Sequence, residues 1–493
     1  MNSLPVDIYT VATVREIDRS AIEDNGIPGY ALMSRAGAAA VAESRARYPE
    51  AMRWVIVCGA GNNGGDGYVV ARLAAEQGAD VTVLALVDPQ RLSGDAATAH
   101  RDFVASGGSV EPWSGALPAG AELLVDGILG SGLERDVGGE FANAVEAMNA
   151  HGAPIVALDI PTGLHGDSGV VMGCAIRAAL TVTFVGLKTG LFLGMAPDFV
   201  GELVFAGLDI PDDVKGGPQA ALRRIDTVSL ARALPPRPRL AHKGDHGHVL
   251  IVGGGEGMPG AVRLAGEAAL RTGAGLVSVA THPSHAAVVV AGRPELMSHP
   301  VSTPKDLDGL LDRADVVAFG PGLGQTDWAR ALFGVVDTCG KPCVWDADAL
   351  NLLAEAPGTS DARIITPHPG EAGRLLESTA GAVQADRPAA LRKLAKNYGG
   401  IAVLKGAGSL VSSAEGAPWI CTAGNPGMAA AGMGDVLTGV IAALLAQGHS
   451  IENAAAFGVQ VHAMAGDRAA LAGQRGLVAT DLIAELRTIV NPS

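Results

Sequence analysis

The sequence predicts an α/β protein of two domains, each a three-layer sandwich with a parallel sheet between helices. At 493 residues the chain is too long for one hydrophobic core. Short apolar runs alternate with helical patterns along its length, which is typical of βαβ units. The composition is 48% hydrophobic with 67 glycines and 18% charged residues, which suits buried parallel strands joined by glycine-rich turns.

In the first half we expect a glycine-rich loop at 59–67 and a helix at 68–77. The preceding segment, 14–48, has helical spacing and is expected to pack on the sheet edge rather than bind a ligand. Ligands gather at the carboxyl ends of parallel strands, where Asp126, Asp159 and Lys188 all lie. The strands predicted from apolar runs are 54–58, 81–87, 123–125, 155–158 and 181–185.

A basic, proline-rich segment at 234–239 cannot continue a helix or a central strand. We therefore place the domain junction between about residues 215 and 240, with domains at 1–225 and 226–493. Beyond it a helix is predicted at 261–272. The strands predicted in this half are 248–252, 276–280, 316–319, 343–345, 363–365 and 401–405.

A glycine-rich loop near the C-terminus, residues 424–434, delivers Asp435 to the start of an apolar helical segment. Glycine N–H groups and a helix N-terminus favour a bound anion. An aspartate beside that anion can take a proton from a hydroxyl that receives phosphate. The pattern predicts a phosphoryl-transfer site, and the alternative is a tight turn that merely enters a helix.

Residues 59–64 satisfy G-x-G-x-x-G after a strand, and Asp88 lies where a ribose-binding acid would sit. This pattern leaves a dinucleotide-dependent dehydrogenase open. The continuation to residue 67 adds two amides and a carboxylate to the loop. Amide and carboxylate oxygens also suit a hard cation.

The run N-N-G-G-D-G at 62–67 and the motif D-I-P-T-G at 159–163 resemble the NAD(P)H-hydrate epimerase family over about residues 11–214. The resemblance implies a Rossmann-like domain that binds hydrated NAD(P)H and inverts C6 of the damaged ring. Asp159 is the candidate base, with a turn aspartate as the alternative, and Lys188 is its partner charge or a solvated lysine. Implied potassium ligands are Asn63, Asp126 and Thr162. Implied substrate contacts are Asn62, Asn63, Gly64, Gly65, Asp66, Gly130, Ser131, Gly132, Leu133, Glu134, Arg135, Asp136 and Asp159.

From about residue 243 onward the chain resembles the ADP/ATP-dependent NAD(P)H-hydrate dehydratases, a branch of the ribokinase-like kinases. The resemblance rests on G-P-G-L-G at 320–324, T-P-H-P-G-E at 366–371 and the loop before Asp435, whereas Gly255 replaces the family's usual serine. Asp346 and Asp348 are candidates for a water-mediated magnesium site or are solvated or capping acids. Implied hydrate contacts are Ala261, Gly322, His368 and Asp435. Implied nucleotide contacts are Lys405, Gly406, Ala407, Gly408, Ser409 and Gly434.

Together the two halves predict a repair enzyme for NADHX and NADPHX that uses ADP or ATP, with K⁺ in the first domain and Mg²⁺ in the second. The alternative is a vitamin-type kinase with a non-catalytic Rossmann-like domain. The net charge of −15 and the 4% aromatic content argue against nucleic acid and anionic membrane as partners. The five cysteines, none in a C-x-x-C pair, are expected as buried reduced thiols. We expect a cytoplasmic homo-oligomer.

Overall fold

The computed structural model describes residues 4–211, 214, 217, 219–414 and 416–492. The chain divides into two units, Met1–Leu222 and Arg223–Ser493. Both have the α/β character that the sequence predicts. Within the described residues, every helix is too short or too polar to cross a membrane.

The strands of the first unit are β1 (Asp7–Tyr9), β2 (Arg53–Cys58), β3 (Asp80–Ala85), β4 (Val110–Pro112), β5 (Leu123–Gly127), β6 (Ile155–Leu158), β7 (Leu180–Phe184), β8 (Leu187–Lys188) and β9 (Glu202–Ala206). Its main sheet has the order β4-β3-β2-β5-β6-β7-β9, and all its pairs are parallel. The chain runs outward from β2 in one direction and from β5 in the other. In such a sheet the crevice beyond β2 and β5 is the place where a ligand binds.

Helices of this unit are α1 (Val11–Glu23), α2 (Gly29–Arg47), α3 (Asn62–Glu76), α4 (Gly94–Ala105) and α5 (Glu140–His151). The predicted loop at 59–67 is wrong in its second half, because α3 already begins at Asn62. The glycines there permit close packing of the helix on the sheet. A Cβ at Gly64 would lie 2.2 Å from the Gly59 oxygen, and one at Gly67 would lie 2.8 Å from Cys58 Sγ.

The second unit carries the strands β10 (Leu222–Arg224), β11 (His248–Val252), β12 (Leu276–Thr281), β13 (Met297–Pro300), β14 (Val316–Phe319), β15 (Cys343–Trp345), β16 (Arg363–Ile365), β17 (Ile401–Leu404), β18 (Leu410–Val411) and β19 (Trp419–Ile420). The order is β13-β12-β11-β14-β15-β16-β17-β18-β19-β10. Pairs from β13 to β17 are parallel, while β18 is antiparallel to both neighbours. The strand order reverses between β11 and β14, so a second crevice opens beyond those two strands.

Helices of the second unit are α6 (Thr227–Ala233), α7 (Pro259–Thr272), α8 (Ala286–Val290), α9 (Asp308–Arg313), α10 (Asp327–Asp337), α11 (Asp348–Glu355), α12 (Pro369–Leu375), α13 (Ala380–Ala385), α14 (Arg387–Tyr398), α15 (Met433–Ala446), α16 (Ile451–Ala469) and α17 (Ala479–Ile489). The apolar helix α15 is buried along most of its length and packs against α7. Its first turn therefore has a fixed position at the end of the loop that the sequence identified.

Candidate active sites

A cavity of about 1210 Å³ in the first unit includes the first turn of α3 and the segment after β5 in its wall. Gly64 and Gly65 do not line it, since both serve the close packing of α3 against its neighbours. Asp126 and Thr162 are fully buried and are not part of the wall. The predicted residues that line the cavity are Asn62, Asn63, Asp66, Gly130, Ser131, Gly132, Leu133, Glu134, Arg135, Asp136, Asp159 and Lys188.

Asp159 follows β6 directly and has a left-handed backbone with φ of 66°. Its Oδ1 accepts a hydrogen bond from the Lys188 ammonium, and 2% of the Lys188 side chain and 16% of the Asp159 side chain are exposed. Lys188 Nζ also donates to Thr183 Oγ1 at 3.1 Å and to the Phe184 oxygen at 2.8 Å. The ammonium is thus fixed by oxygens, and the carboxylate beside it faces the cavity. The prediction that these two residues act as a pair gains a geometric basis, while a solvated Lys188 is wrong.

Asp66 lies one turn into α3, with 9% of the residue exposed. Burial first, and then the nearby charges of Asp159 and Asp18, raise its pKa well above the ordinary value. Asp18 on α1 lines the same cavity, and burial, followed by the repulsion from Asp159, raises its pKa too, against a lowering effect of Lys188. The cavity therefore combines an ion-paired carboxylate with two carboxyl groups whose pKa burial raises.

The segment 14–48, which precedes β2, contributes side chains to the wall of this cavity. This differs from the expectation that the segment only packs on the sheet edge. Helices α1 and α2 supply Arg15, Asp18, Leu32 and Met33 to the cavity. The sequence shows only the apolar spacing of these helices. Asp18 has no local signal because its role depends on where α1 packs.

Asp126 is fully buried at the end of β5, and protein donors satisfy part of its carboxylate. Thr162 donates to it through its backbone N–H at 2.8 Å and through its hydroxyl at 2.7 Å. Burial nevertheless raises the pKa of Asp126 to about 6. Asn63 lies close to this strand end, since a Cβ on Gly127 would lie 3.1 Å from the Asn63 backbone oxygen. Carboxylate, hydroxyl and amide oxygens are ligands that suit a hard cation, which would offset the buried charge of Asp126.

Asp88 does not support the dehydrogenase alternative. It is exposed, its Oδ1 accepts a hydrogen bond from the Gln90 N–H at 2.9 Å, and it does not line the cavity. The acid expected to bind a ribose is therefore absent from this site, as far as the described residues extend.

In the second unit the glycine turns after β11 and β14 are in backbone contact. The Gly255 N–H donates to the Gly322 oxygen at 2.7 Å, and a Cβ on Gly255 would lie 2.5 Å from the Leu323 oxygen. That proximity explains why glycine is present at position 255. Gly322 has φ of 56°, and a Cβ built on it would lie 3.0 Å from the Cβ of Ala261. The predicted hydrate contacts Ala261 and Gly322 are thus neighbours.

Lys405 follows β17 and lies among carboxylates. Its ammonium donates to Asp346 Oδ1 at 2.6 Å and is 3.7 Å from Glu371 Oε2. The other Asp346 oxygen accepts from the Thr438 hydroxyl at 3.0 Å. Burial alone would raise the pKa of Asp346. The Lys405 ammonium outweighs that effect and holds the pKa of Asp346 below its ordinary value. A Cβ at Gly434 would lie 3.4 Å from Lys405 Nζ, so the loop glycine adjoins this ion pair.

Asp435 lies in the first turn of α15, after Gly432 at the helix N-cap with φ of 85°. Burial, and then the charge of Asp346, raises the pKa of Asp435 to about 7, against the effect of Lys405. A carboxylate with a pKa near neutrality is suited to general-base chemistry. The loop that precedes it is held by Asp467 of α16, whose carboxylate accepts from the Gly424 N–H at 2.8 Å.

His368 caps the N-terminus of α12. Its Nδ1 accepts a hydrogen bond from the Gly370 N–H at 3.0 Å, and its Nε2 is 3.5 Å from Glu371 Oε1. About half of the side chain, 53%, is exposed. Burial and the charge of Lys405 lower the pKa of His368, so a neutral imidazole is presented to solvent beside Lys405.

The predicted nucleotide-binding turn Lys405, Gly406, Ala407, Gly408 and Ser409 is braced by a residue that the sequence did not reveal. The guanidinium of Arg387, at the start of α14, donates to the oxygens of Leu404, Lys405 and Gly408 at 3.1–3.3 Å. Arg387 is 5% exposed, and burial lowers its pKa to about 10. Gly406, with φ of 141°, would place a Cβ 2.9 Å from this guanidinium, so the glycine is needed for the contact.

The acids Asp346 and Asp348 do not form a ready magnesium site. Both oxygens of Asp346 accept bonds from Lys405 and Thr438, and Asp348 accepts from the Gly324 N–H at 2.8 Å and from Asn351 at 3.2 Å. Within the described part of the chain, His, Cys, Asp and Glu side chains form no cluster of three or more that could hold a metal ion.

Comparisons with known proteins agree with both halves. Residues 249–488 match the family model described as NAD(P)H-hydrate dehydratase, and residues 29–190 match YjeF-related protein N-terminus. The bifunctional NAD(P)H-hydrate repair enzyme Nnr of Coxiella burnetii is 47% identical over 98% of this chain and 99% of its own. The Escherichia coli protein of the same name is 45% identical over 99% of this chain and 95% of its own.

A crystal structure of a ribokinase-like superfamily protein from Enterococcus faecalis aligns with a TM-score of 0.51 and 28% identity, covering 55% of this chain and 98% of that one. This match confirms the predicted fold of the second half. Given the full-length similarity to the curated relatives, the chain belongs to the family of bifunctional NAD(P)H-hydrate repair enzymes.

Proposed function

We propose that this protein repairs hydrated NADH and NADPH in two steps. A domain at residues 1–225 interconverts the R and S hydrates at C6, and a domain at 226–493 dehydrates the S form at the expense of ADP or ATP. The supporting observation is that relatives named as bifunctional repair enzymes match 98–99% of the chain, across both halves. A homo-oligomeric state and a cytoplasmic location stay predictions from the sequence.

The dehydration begins at Asp435, which accepts the proton of the C6 hydroxyl. That oxygen attacks the terminal phosphorus of ADP or ATP, the bond from phosphorus to the bridging oxygen breaks, and AMP or ADP leaves. Lys405 and the N–H groups at the start of α15 stabilise the charge that spreads over the transferred phosphoryl group. The ring nitrogen then expels phosphate from C6, and loss of a proton from C5 restores the reduced nicotinamide.

The raised pKa of Asp435 supports this role. A base with a pKa near the operating pH is still ionised in part of the molecules, and it holds the hydroxyl proton well once it has accepted it. Ala261, Gly322 and His368 are proposed to contact the hydrate. The turn from Lys405 to Ser409, together with Gly434, is proposed to contact the nucleotide phosphates. Arg387 keeps the carbonyl groups of that turn directed away from the phosphates, since they accept from its guanidinium.

The epimerisation is proposed to use Asp159 as base and Lys188 as the cation that pairs with its carboxylate and fixes its position. Inversion at C6 requires the ring to open and close again. A base removes the proton of the C6 hydroxyl as the ring opens, and an acid donates a proton to the part of the ring that is released from C6. Asp66, whose pKa is raised by burial, is the candidate acid. An ion-paired carboxylate beside a buried carboxyl group of raised pKa is a common acid–base arrangement. Asn62, Asn63 and the segment from Gly130 to Asp136 are proposed to contact the hydrate, and Gly64 and Gly65 to support it through the backbone.

Both metal ions are proposals. K⁺ would be held by Asn63, Asp126 and Thr162, where it would compensate a buried carboxylate and fix the loop after β5. Asp346 and Asp348 already accept bonds from protein groups, so direct ligation of Mg²⁺ by them does not fit. Mg²⁺ ordinarily keeps several waters and enters such sites on the nucleotide phosphates.

The test is recovery of reduced-nicotinamide absorbance from a mixed R and S hydrate preparation, with ADP and ATP supplied separately. Full recovery supports both activities and identifies the phosphoryl donor. Recovery that stops when the S form is spent would mean that the first domain does not epimerise. No recovery with either nucleotide contradicts the proposal and favours a kinase that phosphorylates a stable alcohol.

A further inference from the structure

Two thiols of the second unit face each other outside the site described above. Cys339 Sγ and Cys343 Sγ lie 3.9 Å apart. Cys339 follows the C-terminus of α10, and Cys343 is the first residue of β15, so the turn between them brings the thiols together. All five cysteines of the chain carry free thiols in this structure. A sulfur–sulfur bond is about 2.05 Å long, so closure requires an approach of roughly 2 Å.

The two thiols differ in surroundings, as a reacting pair should. Cys339 is half-buried, whereas Cys343 is 5% exposed and its Sγ donates to the Lys341 oxygen at 3.0 Å. When the Cys343 S–H is directed at Cys339 instead, that hydrogen bond, with smaller effects of the Lys341 backbone and charge, lowers the pKa of Cys339. The same contact and burial raise the pKa of Cys343. Reactive cysteines are partly exposed thiolates of this kind.

The other cysteines of the chain provide a built-in comparison. Cys58 and Cys421 are fully buried, and burial raises the pKa of both. Cys174 is partly exposed, but burial and the nearby Glu146 charge raise its pKa. In each case the thiol is the dominant form at neutral pH, so these three should react slowly.

We propose that Cys339 and Cys343 form a redox-active pair that closes to a disulfide when the protein meets a hydroperoxide. The Cys339 thiolate attacks one peroxide oxygen, a sulfur–oxygen bond forms, the oxygen–oxygen bond breaks and hydroxide leaves. The product is a sulfenic acid on Cys339, whose sulfur has lost two electrons to the peroxide. Cys343 then loses its proton and attacks Cys339 Sγ, so that the disulfide forms and water leaves. Overall, two thiols and one hydrogen peroxide give one disulfide and two waters.

The position of the pair at a tight turn makes closure local. Cys343 lies at the start of β15, whereas Asp346, the ion-pair partner of Lys405, follows the other end of that strand. The proposal does not rest on the proposed function, since it concerns only the chemistry of the two thiols.

The experiment treats the reduced full-length protein with one equivalent of hydrogen peroxide, blocks free thiols with N-ethylmaleimide, and digests with trypsin without reduction. Lys341 precedes Pro342, so trypsin leaves both cysteines in one peptide, residues 331–363. We expect that peptide to be unalkylated and two hydrogens lighter, and to regain both thiols after treatment with a dithiol. Without peroxide, Cys339 should alkylate about fivefold faster than Cys174 at pH 7, because its larger thiolate fraction outweighs its lower intrinsic nucleophilicity.

Matched variants separate the roles. In Cys343→Ser the Cys339 sulfenic acid should persist and be captured by dimedone, whereas in Cys339→Ser the remaining thiol should stay reduced. The proposal is overturned if peroxide leaves both thiols of the wild-type peptide alkylatable. It is also overturned if Cys174 reacts first, or if Cys339→Ser oxidises at Cys343 as fast as the wild type. Since Cys339 is half-buried and follows a helix end, Cys339→Ser should fold even if substitution at Cys343 does not.

Discussion

The Lys405 ammonium lies 2.6 Å from Asp346 Oδ1, and 17% and 3% of the two side chains are exposed. The carboxylates of Glu371 and Asp435 also interact with this ammonium, but the Asp346 carboxylate is the one in closest contact with it. Because Asp435 is left beside a buried anion, its proton is bound more tightly. We infer that this one ion pair both presents a cation to the phosphoryl group and raises the pKa of the proposed base, Asp435.

Replacing Lys405 by methionine should abolish dehydration and destabilise the second unit. Asp346 would keep a buried carboxylate without its main partner, which costs about 3 kcal/mol in comparable pairs. We expect nucleotide-dependent recovery to fall at least about a hundredfold and the thermal transition of this unit to move down. Epimerisation, followed as R to S exchange without nucleotide, should be unchanged.

The control for this substitution is Lys396→Met, at an exposed lysine of α14. It should leave both the turnover and the transition temperature as in the wild type. If Lys405→Met repairs the hydrate at a wild-type rate, the ammonium has no part in phosphoryl transfer.

The substitution Asp435→Asn should separate chemistry from binding. An asparagine keeps the size of the side chain but cannot accept the hydroxyl proton, so we expect kcat for dehydration to fall by about 10² to 10⁴. The dissociation constant for ADP, measured by calorimetry, should stay within about twofold. Asp312→Asn, at an exposed position on α9, is the matched control. Turnover near the wild-type rate in Asp435→Asn would assign the base to another residue.

The pH dependence follows from the pKa of about 7 for Asp435. Dehydration needs the ionised form, so kcat/KM should rise with pH through an apparent pKa near 7 and level off above it. The stability effect has the opposite sign. Because the folded pKa lies above the unfolded value, ionised Asp435 lowers stability at pH 8, and this penalty fades as the pH falls to about 4. Thermal melts should therefore show Asp435→Asn to be more stable than the wild type at pH 8 but not at pH 4.

The strands and their carboxyl ends could be predicted from the sequence because buried parallel strands leave continuous apolar runs. Asp126 and Asp159 were identified in this way, each at the end of such a run, whereas Lys405 was identified through the resemblance to the dehydratases. The start of α3 could not be predicted from the sequence, because glycines that permit helix–sheet contact look the same in sequence as glycines in a loop. Only the structure shows that Gly64 and Gly67 face Gly59 and Cys58.

Asp18 and Arg387 were missed for a different reason. Each lies on a helix whose own pattern reports only which face is buried, not what that face approaches. Asp18 reaches the cavity of the first unit because α1 packs beside it, and Arg387 reaches the turn after β17 because α14 packs against that strand. Such tertiary relations leave no local signal.

If potassium binds beside Asp126, potassium salts should stabilise the folded first unit more than salts of a cation that does not fit the site. Asp126 is buried with a pKa raised to about 6, so a cation held beside it should stabilise the folded state. The thermal transition of this unit should rise when potassium chloride replaces tetramethylammonium chloride at equal ionic strength. Asp126→Asn, which removes the charge but keeps the shape, should lose that difference. Equal transition temperatures in both salts for the wild type would argue against a cation at Asp126.

Lys188 is the buried cation of the first cavity. Lys188→Met removes the ammonium from Asp159, which then faces the carboxyl groups of Asp66 and Asp18 with less compensation. We expect exchange between R and S hydrates to fall by about 10² or more, because Asp159 loses the ammonium that holds its carboxylate in place at the cavity wall. Dehydration of pure S hydrate should be unchanged, since it uses the second unit. Asp80→Asn, at an exposed residue that opens β3, controls for a general loss of stability in the first unit. Retained exchange in Lys188→Met would mean that the ion pair is structural and that the inversion depends on other groups in the cavity.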